Sequence, residues 1–208
     1  MSNVADQKRR AFWLKHLHQW HWVSAAICLV SMLMFSITGI TLNHAGQIPA
    51  KPTVTTLDEK LPAPLLARLK NEADADKAPL PVIVSEWISD QMALDTTART
   101  AEWSDDEVYV SLPRPGGDAW LSIQRDSGEV HYERTDRGAI SFLNDLHKGR
   151  NAGPMWGWFI DVFAAACVLF AGTGLFLLKM HSSRRPGTWP YVALGVVVPL
   201  VVIVLFVH

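Results

Sequence analysis

The sequence predicts an α-helical membrane protein: three transmembrane helices, with a small α+β domain inserted between helices 1 and 2. Three observations predict it. Trp20 to Leu42, Met155 to Leu178 and Trp189 to Val207 are apolar runs almost free of charge, each close to the ~20 residues a helix needs to cross a hydrocarbon core. The acids gather between Ala45 and Arg150, where the patterning is that of a water-exposed domain. Basic residues cluster in the two short segments beside the spans, Lys8, Arg9, Arg10 and Lys15 before the first and Lys179, Arg184 and Arg185 between the second and third.

The bulk composition alone, 49% apolar with a net charge of −1, would suit an ordinary soluble chain. Segregation of the apolar residues decides otherwise, since three runs of this length in 208 residues exceed what buried soluble helices explain. The elements then follow in order: a cytoplasmic N-terminus over 1–19, helix 1 over 20–44, a periplasmic domain over 45–146, helix 2 over 147–180, a cytoplasmic loop over 181–188 and helix 3 over 189–208. Orientation comes from the basic clusters, which in short loops mark the cytoplasmic side, so a bacterial inner membrane with its large loop outside is expected. A signal peptide also begins basic and continues apolar, but this run is too long for a typical h-region, and an uncleaved anchor is expected. The expected environment is the lipid bilayer, and with 19 Lys+Arg against 20 Asp+Glu no nucleic-acid partner is expected.

Within the domain, Pro49, Pro52, Pro62 and Pro64 predict an extended linker leading into a short helix at Leu65 to Asn71, followed by an acidic loop at Glu72 to Asp76. Val82 to Leu94 has helix-like apolar spacing, with Trp87 and Ile88 on the buried side. Val108, Val110 and Leu112 alternate with Tyr109 and Ser111, and Trp120 to Ile123 and Val130 to Tyr132 are further strand-like runs. Turns are expected at Pro115-Gly116-Gly117 and Asp126-Ser127-Gly128. No glycine-rich phosphate loop, nucleophile elbow or carboxylate pair occurs, so the domain reads as a docking module, and no catalytic residue is assigned. Cys28 and Cys167 both fall inside spans and read as small packing residues, not parts of a disulfide framework.

Histidine is the informative residue, because ionisable groups at membrane depth are costly and tend to be functional. His16, His18, His21 and His181 gather toward one face of the predicted topology, and His44, His147 and His208 toward the other; His131, on an expected strand, reads as solvated. Two imidazoles from antiparallel helices at one depth hold a six-coordinate haem iron in helical bundles. Two such pairs are expected, His21 with His181 and His44 with His147, holding one or two non-covalent b-type haems. Lys148 and Arg150, with Lys179 and Arg184, are candidate partners for haem propionates, or simply snorkelling cations. His21 and His44 are about 34 Å apart along an ideal helix, long for one electron transfer, so either the porphyrins lean inward, or an aromatic such as Phe35 or Trp156 relays, or one of the two sites is empty. His16, His18 and His208 are alternative ligands, and interfacial histidines without a cofactor remain open. Asp161, an acid inside a span, is either a hydrogen-bond partner for a ligand histidine, a proton carrier, or a headgroup-level residue.

The first two spans also resemble each other: Trp20-His21-Trp22 precedes Thr38-Gly39 much as Trp156-Gly157-Trp158 precedes Thr173-Gly174, and each then reaches a histidine. Tryptophan belts and small helix-contact residues account for the same likeness without common ancestry.

His21 with its apolar run to Thr38-Gly39, Leu42-Asn43-His44, Asn144-Asp145-Leu146-His147-Lys148-Gly149-Arg150, Thr173-Gly174-Leu175 and the turn Asp126-Ser127-Gly128-Glu129-Val130 together resemble the PepSY-associated transmembrane proteins. The resemblance implies a PepSY-like domain, a helix packed on a small antiparallel sheet. It also implies an inner-membrane protein, some of whose relatives are haem-containing reductases that release iron from ferric siderophores. The implied ligands are His21 and His147, with His44 and His181. Three spans and one PepSY-like unit are fewer than larger members carry, so a homodimer or partner subunit is implied as a way to complete the sites. The expected function is a b-type cytochrome-like electron carrier to a periplasmic acceptor, a redox protein or ferric siderophore, as reductase or reductase subunit. The alternative is a cofactor-free anchored protein that binds or regulates a periplasmic partner.

Overall fold

The computed structural model describes residues 4–71, 76–97, 99–185 and 187–207; most of the acidic loop, and His208, lie outside the described residues. The element order is α1 (Val4–Asn43), β1 (Thr53–Lys60), α2 (Ala63–Asn71), β2 (Lys77–Pro79), α3 (Val82–Met92), β3 (Thr100–Trp103), β4 (Glu107–Ser111), β5 (Gly117–Gln124), β6 (Glu129–Asp136), α4 (Ala139–Lys148), α5 (Gly153–His181) and α6 (Thr188–Phe206). The chain divides into two compact units, residues 1–34 with 159–208, and residues 35–158.

Three helices, α1, α5 and α6, are long and apolar enough to cross a membrane. In the first unit, α1 begins at Val4, well before the expected Trp20. At 1.5 Å per residue its 40 residues reach about 60 Å, twice a hydrocarbon core, so its basic first turns extend beyond the apolar span. Those turns carry no apolar signature of a span, which is why hydropathy does not reveal them. They are tied down: Arg10 Nη2 donates to Met180 O at 3.1 Å, capping one of the carbonyls that the end of α5 leaves without a helical partner. The side chains that α1 and α5 bury are small and polar, Ser24, Cys28 and Thr173, as expected where helices in lipid approach closely. Cys28 is a buried and Cys167 a half-buried free thiol on these helices, in keeping with packing residues. Helix α6 buries none of its residues.

In the second unit, a six-stranded antiparallel sheet runs β1-β6-β5-β4-β3-β2. Alternation sends Val108, Val110, Leu121, Ile123 and Val130 to one face, where Leu69 of α2 and Val84, Ile88 and Met92 of α3 close the core. Tyr109, Trp120 and His131 line the other face as a ladder of ring contacts, and His131 pairs with Asp58. The expected meander and main helix are present, with Ile88 fully buried and Trp87 packed at the margin. The proline-rich linker is corrected: Thr53–Lys60 within it is a strand paired along its whole length with β6. All eight of its residues are exposed, so no alternation marked it, and prolines at its flanks fit an edge strand. Strands β2 and β3 were likewise unexpected; both are short.

Helix 2 is corrected as well. His147 does not open it but lies on α4, which Gly149 stops at φ +67 before α5 starts at Gly153. Gly116, in the turn before β5, has φ +76, and a Cβ there would stand 2.7 Å from the Cα of Phe142 on α4. Gly116→Ala is expected to destabilise the domain by roughly 2–4 kcal/mol, combining left-handed strain with overpacking. Gly46→Ala, with nothing within 4 Å, changes stability by about 0.5 kcal/mol at most. Thermal unfolding of the full chain in detergent separates the two.

Candidate functional site

Two histidines are held the same way, one in each unit. In the first, the ring of His21 stacks on Phe170 with centroids 4.6 Å apart, and its Nδ1 lies 3.1 Å from Thr173 Oγ1 and 3.2 Å from Phe170 O. Gly174 leaves room for the ring, since a Cβ there would meet His21 Cε1 at 3.3 Å. In the second unit, His147 packs against Phe35 at 5.0 Å, its Nδ1 is 2.7 Å from Thr38 Oγ1, and a Cβ on Gly39 would meet its Cε1 at 3.5 Å. The receptor is thus one sequence pattern written twice, Phe35-Ser36-Ile37-Thr38-Gly39 and Phe170-Ala171-Gly172-Thr173-Gly174. Helical spacing puts the aromatic and the threonine, three residues apart, on one face.

Carbonyl partners set which nitrogen carries hydrogen. His21 Nδ1–H donates to Phe170 O, and Thr173 Oγ1, whose single proton goes to its own helix at Leu169 O (2.7 Å) or Phe170 O (3.0 Å), accepts from it as well. Thr38 Oγ1 bonds both Phe35 O at 3.2 Å and His147 Nδ1 at 2.7 Å with one proton of its own. His44, His181 and His18 each donate Nδ1–H to the carbonyl four residues back, Ile40, Leu177 and Leu14, at 3.0, 2.9 and 2.8 Å. Where Nδ1–H donates in this way, a neutral ring carries its lone pair on Nε2, the form in which imidazole binds a metal.

The two expected pairs fare differently. His21 and His181 line one cleft of about 600 Å³ together with Gly174, Leu177, Leu178, Arg185 and Thr188, a volume within the roughly 300–1,000 Å³ of small-molecule and cofactor sites. His18 meets His181 edge-on at 6.0 Å. His44 is exposed, and among the described residues no hydrogen bond or ring contact joins it to His147. The cations also differ from expectation. Arg150 lies 3.4 Å from Asp145 Oδ1, committed to a protein carboxylate, and Lys148 is exposed. Arg185, not Lys179, lines the cleft; the side chain of Arg184 lies outside the described set. Asp161 is exposed on α5, and among the described residues no hydrogen bond joins it to a histidine. His16 packs on Phe12 at 4.3 Å, one turn back in its own helix. Trp156 donates Nε1–H to Leu146 O at 2.8 Å, a structural bond inside the second unit. Among the described residues there is no group of three or more His, Cys, Asp or Glu side chains arranged to hold a metal ion.

The Asn144–Arg150 segment assembles the second site. Thr41 Oγ1 donates to Asn144 Oδ1 at 2.8 Å, Gly116 N–H donates to Asp145 Oδ2 at 2.9 Å, and Arg150 N–H closes back on Asp145 O at 2.9 Å. Asn144 and Asp145 are buried, whereas Ile140, Phe142 and Leu143 of the same helix are exposed. Just before the helix, the Gly138 N–H bonds Asp136 and, with Arg114 and Arg134 nearby, holds that carboxyl below the usual range. Thr38, Thr173 and Asn144 stood out in the sequence only as parts of motifs; the repeated Phe-x-x-Thr-Gly pattern was the available signal for the first two.

Asp145→Ala leaves a buried amide and Arg150 without their acceptor and is expected to cost about 2–4 kcal/mol, with Asp145→Asn intermediate. Urea unfolding followed by tryptophan fluorescence measures both; equal stability of the alanine variant and the parent contradicts the assignment.

A family model described as Putative PepSY_TM-like matches residues 12–208, almost the whole chain. No curated protein and no solved structure matches it. The chain belongs to the PepSY_TM-like family and is a membrane protein.

Proposed function

From that membership and the histidine geometry, we propose that the chain is a b-type cytochrome-like protein of the bacterial inner membrane, passing electrons to an acceptor at its periplasmic domain. Ferric iron in a siderophore is the proposed substrate, reduced by this chain or by a reductase of which it is a subunit. The observation that carries the reading is the His21–His181 cleft, where two imidazoles from different helices, each engaged through Nδ1, line one space beside Arg185.

The residues present fit a haem at that place. His21 and His181 would hold the iron, Arg185 would offset a propionate, and Gly174 keeps the helix surface smooth beside His21. A haem b bound there supplies a one-electron couple. The chain's own part is orientation: Thr173 and the Phe170 carbonyl keep the proton on Nδ1 of His21, fixing its ring and raising the basicity of Nε2. The matching Thr38–His147 arrangement supports a second ligand site, for which His44 is the weaker partner because its ring stands apart, exposed.

A second reading, a cofactor-free anchor whose domain binds or restrains a periplasmic partner, is favoured by one observation: in the second unit Thr38, Thr41 and Asp145 near His147 are engaged by protein groups.

Full-length protein expressed with ample haem is expected to show a Soret band and a dithionite-sharpened α-band, lost in His21→Ala and in His181→Ala. The absence of any Soret band from folded parent protein removes the redox reading and leaves the anchor. Thr173→Val is expected to keep the haem but weaken its retention about 10–100-fold and raise its midpoint potential, since a ligand without its acceptor donates less charge to ferric iron. Spectroelectrochemical titration reads the shift.

A further inference from the structure

A second cleft, of about 370 Å³, opens in the unit of residues 35–158, and nothing in the electron-transfer reading uses it. Its polar lining is made of donors: Lys51, Arg137, Ser141, Asn144 and the first turn of α4. That turn contains no acid, and Gly138 offers no side-chain cap, so the amides of Ala139, Ile140 and Ser141 lack helical acceptors. Lys51 has no ion-pair partner among the described residues. Arg137 is shared with Asp118, and the neighbouring Asp136 is occupied by Gly138, Arg114 and Arg134. Asn144 is only 7% exposed; its Oδ1 is taken by Thr41, and its Nδ2 has no partner among the described residues.

The apolar part of the lining points the same way. Ile48 and Ile140 border the cleft. Helix α4 turns Ile140, Phe142 and Leu143 outward at 43, 40 and 39% exposure while burying Asn144 and Asp145. That is the reverse of a helix facing water and the arrangement of one facing acyl chains. Its position agrees, because the bonds from Thr41 and Thr38 fasten it to the last turns of the α1 span, and the segment 45–51 leads directly from that span.

We propose that this cleft binds an anionic phospholipid, its phosphate against Lys51, Arg137 and the amide end of α4, its chains along Ile140 and Leu143. Helix ends and basic pockets beside spans favour such headgroups. Lys51, which has no carboxylate partner among the described residues, selects a net negative lipid over a zwitterionic one, with Arg137 shared between Asp118 and the phosphate.

The test is native mass spectrometry of the full chain, with or without haem, after exposure in detergent to phosphatidylglycerol, phosphatidylcholine or inorganic phosphate. The parent is expected to retain one phosphatidylglycerol per chain. Lys51→Gln, an exposed change that leaves the fold intact by tryptophan fluorescence, is expected to lower retention about fivefold. Ile140→Asn is expected to weaken retention of phosphatidylglycerol further, through its chains. Equal retention of phosphatidylcholine, displacement by millimolar inorganic phosphate, or undiminished retention in Lys51→Gln each overturns the proposal. Haem content is recorded on the same samples, so loss of the lipid and loss of the cofactor are read separately.

Discussion

A histidine inside a bilayer must give its ring proton to something, because lipid offers no acceptor and an unsatisfied polar group there costs several kcal/mol. His21, on a helix long and apolar enough to span, meets that constraint through Thr173 and the Phe170 carbonyl. Thr173 can accept from His21 only because its own proton is spent on the carbonyls of α5. His147, on the short helix α4, is bonded to Thr38 in the same sequence pattern. The glycine after each threonine is the steric half of the arrangement, leaving the ring space that a Cβ would crowd.

The two receptors are alike, but the histidines reach them by different routes. His21 is carried by a span, fixed in register by the long helix on either side of it. His147 is carried by a ten-residue helix whose own stability is marginal in isolation. It is held by what surrounds it: Asp145 on the amide of Gly116, Asn144 on Thr41, Trp156 on the carbonyl of Leu146, and Gly149 ending the helix in the left-handed region. The same few residues that orient the imidazole therefore also join the sheet to the end of α1. A change of strain in the turn at Gly116 is felt at His147 through two adjacent residues of one helix.

The spans were legible because a bilayer imposes a length and an apolarity that no other environment demands together, and the domain's meander was legible because buried and exposed residues alternate in Val108 to Leu112. What escaped was structure whose stabilisation comes from elsewhere. The start of α1 at Val4 is polar and rests partly on Arg10 reaching the end of α5. Strand β1 has no buried face and exists by pairing with β6. The site was half legible: His21 and His147 were singled out by residue type, and the Thr-Gly pairs by repetition. Their cross-pairing, a histidine from one segment on the threonine of another, is a tertiary fact that spacing along the chain does not encode.

The difference between the two histidine environments bears on what each can do. Around His147, Thr38, Thr41 and Asp145 find partners within the protein, and the cation expected beside it, Arg150, is committed to Asp145. Around His21 the balance differs: among the described residues the hydrogen bond of His181 is to its own helix, its ring meets His18, and Arg185 has no carboxylate among the residues lining the cleft. His181 and Arg185 stand exposed at the end of α5, whereas His21 is half-buried against Phe170 and Thr173, so it is the ring of His21 that depends on protein acceptors.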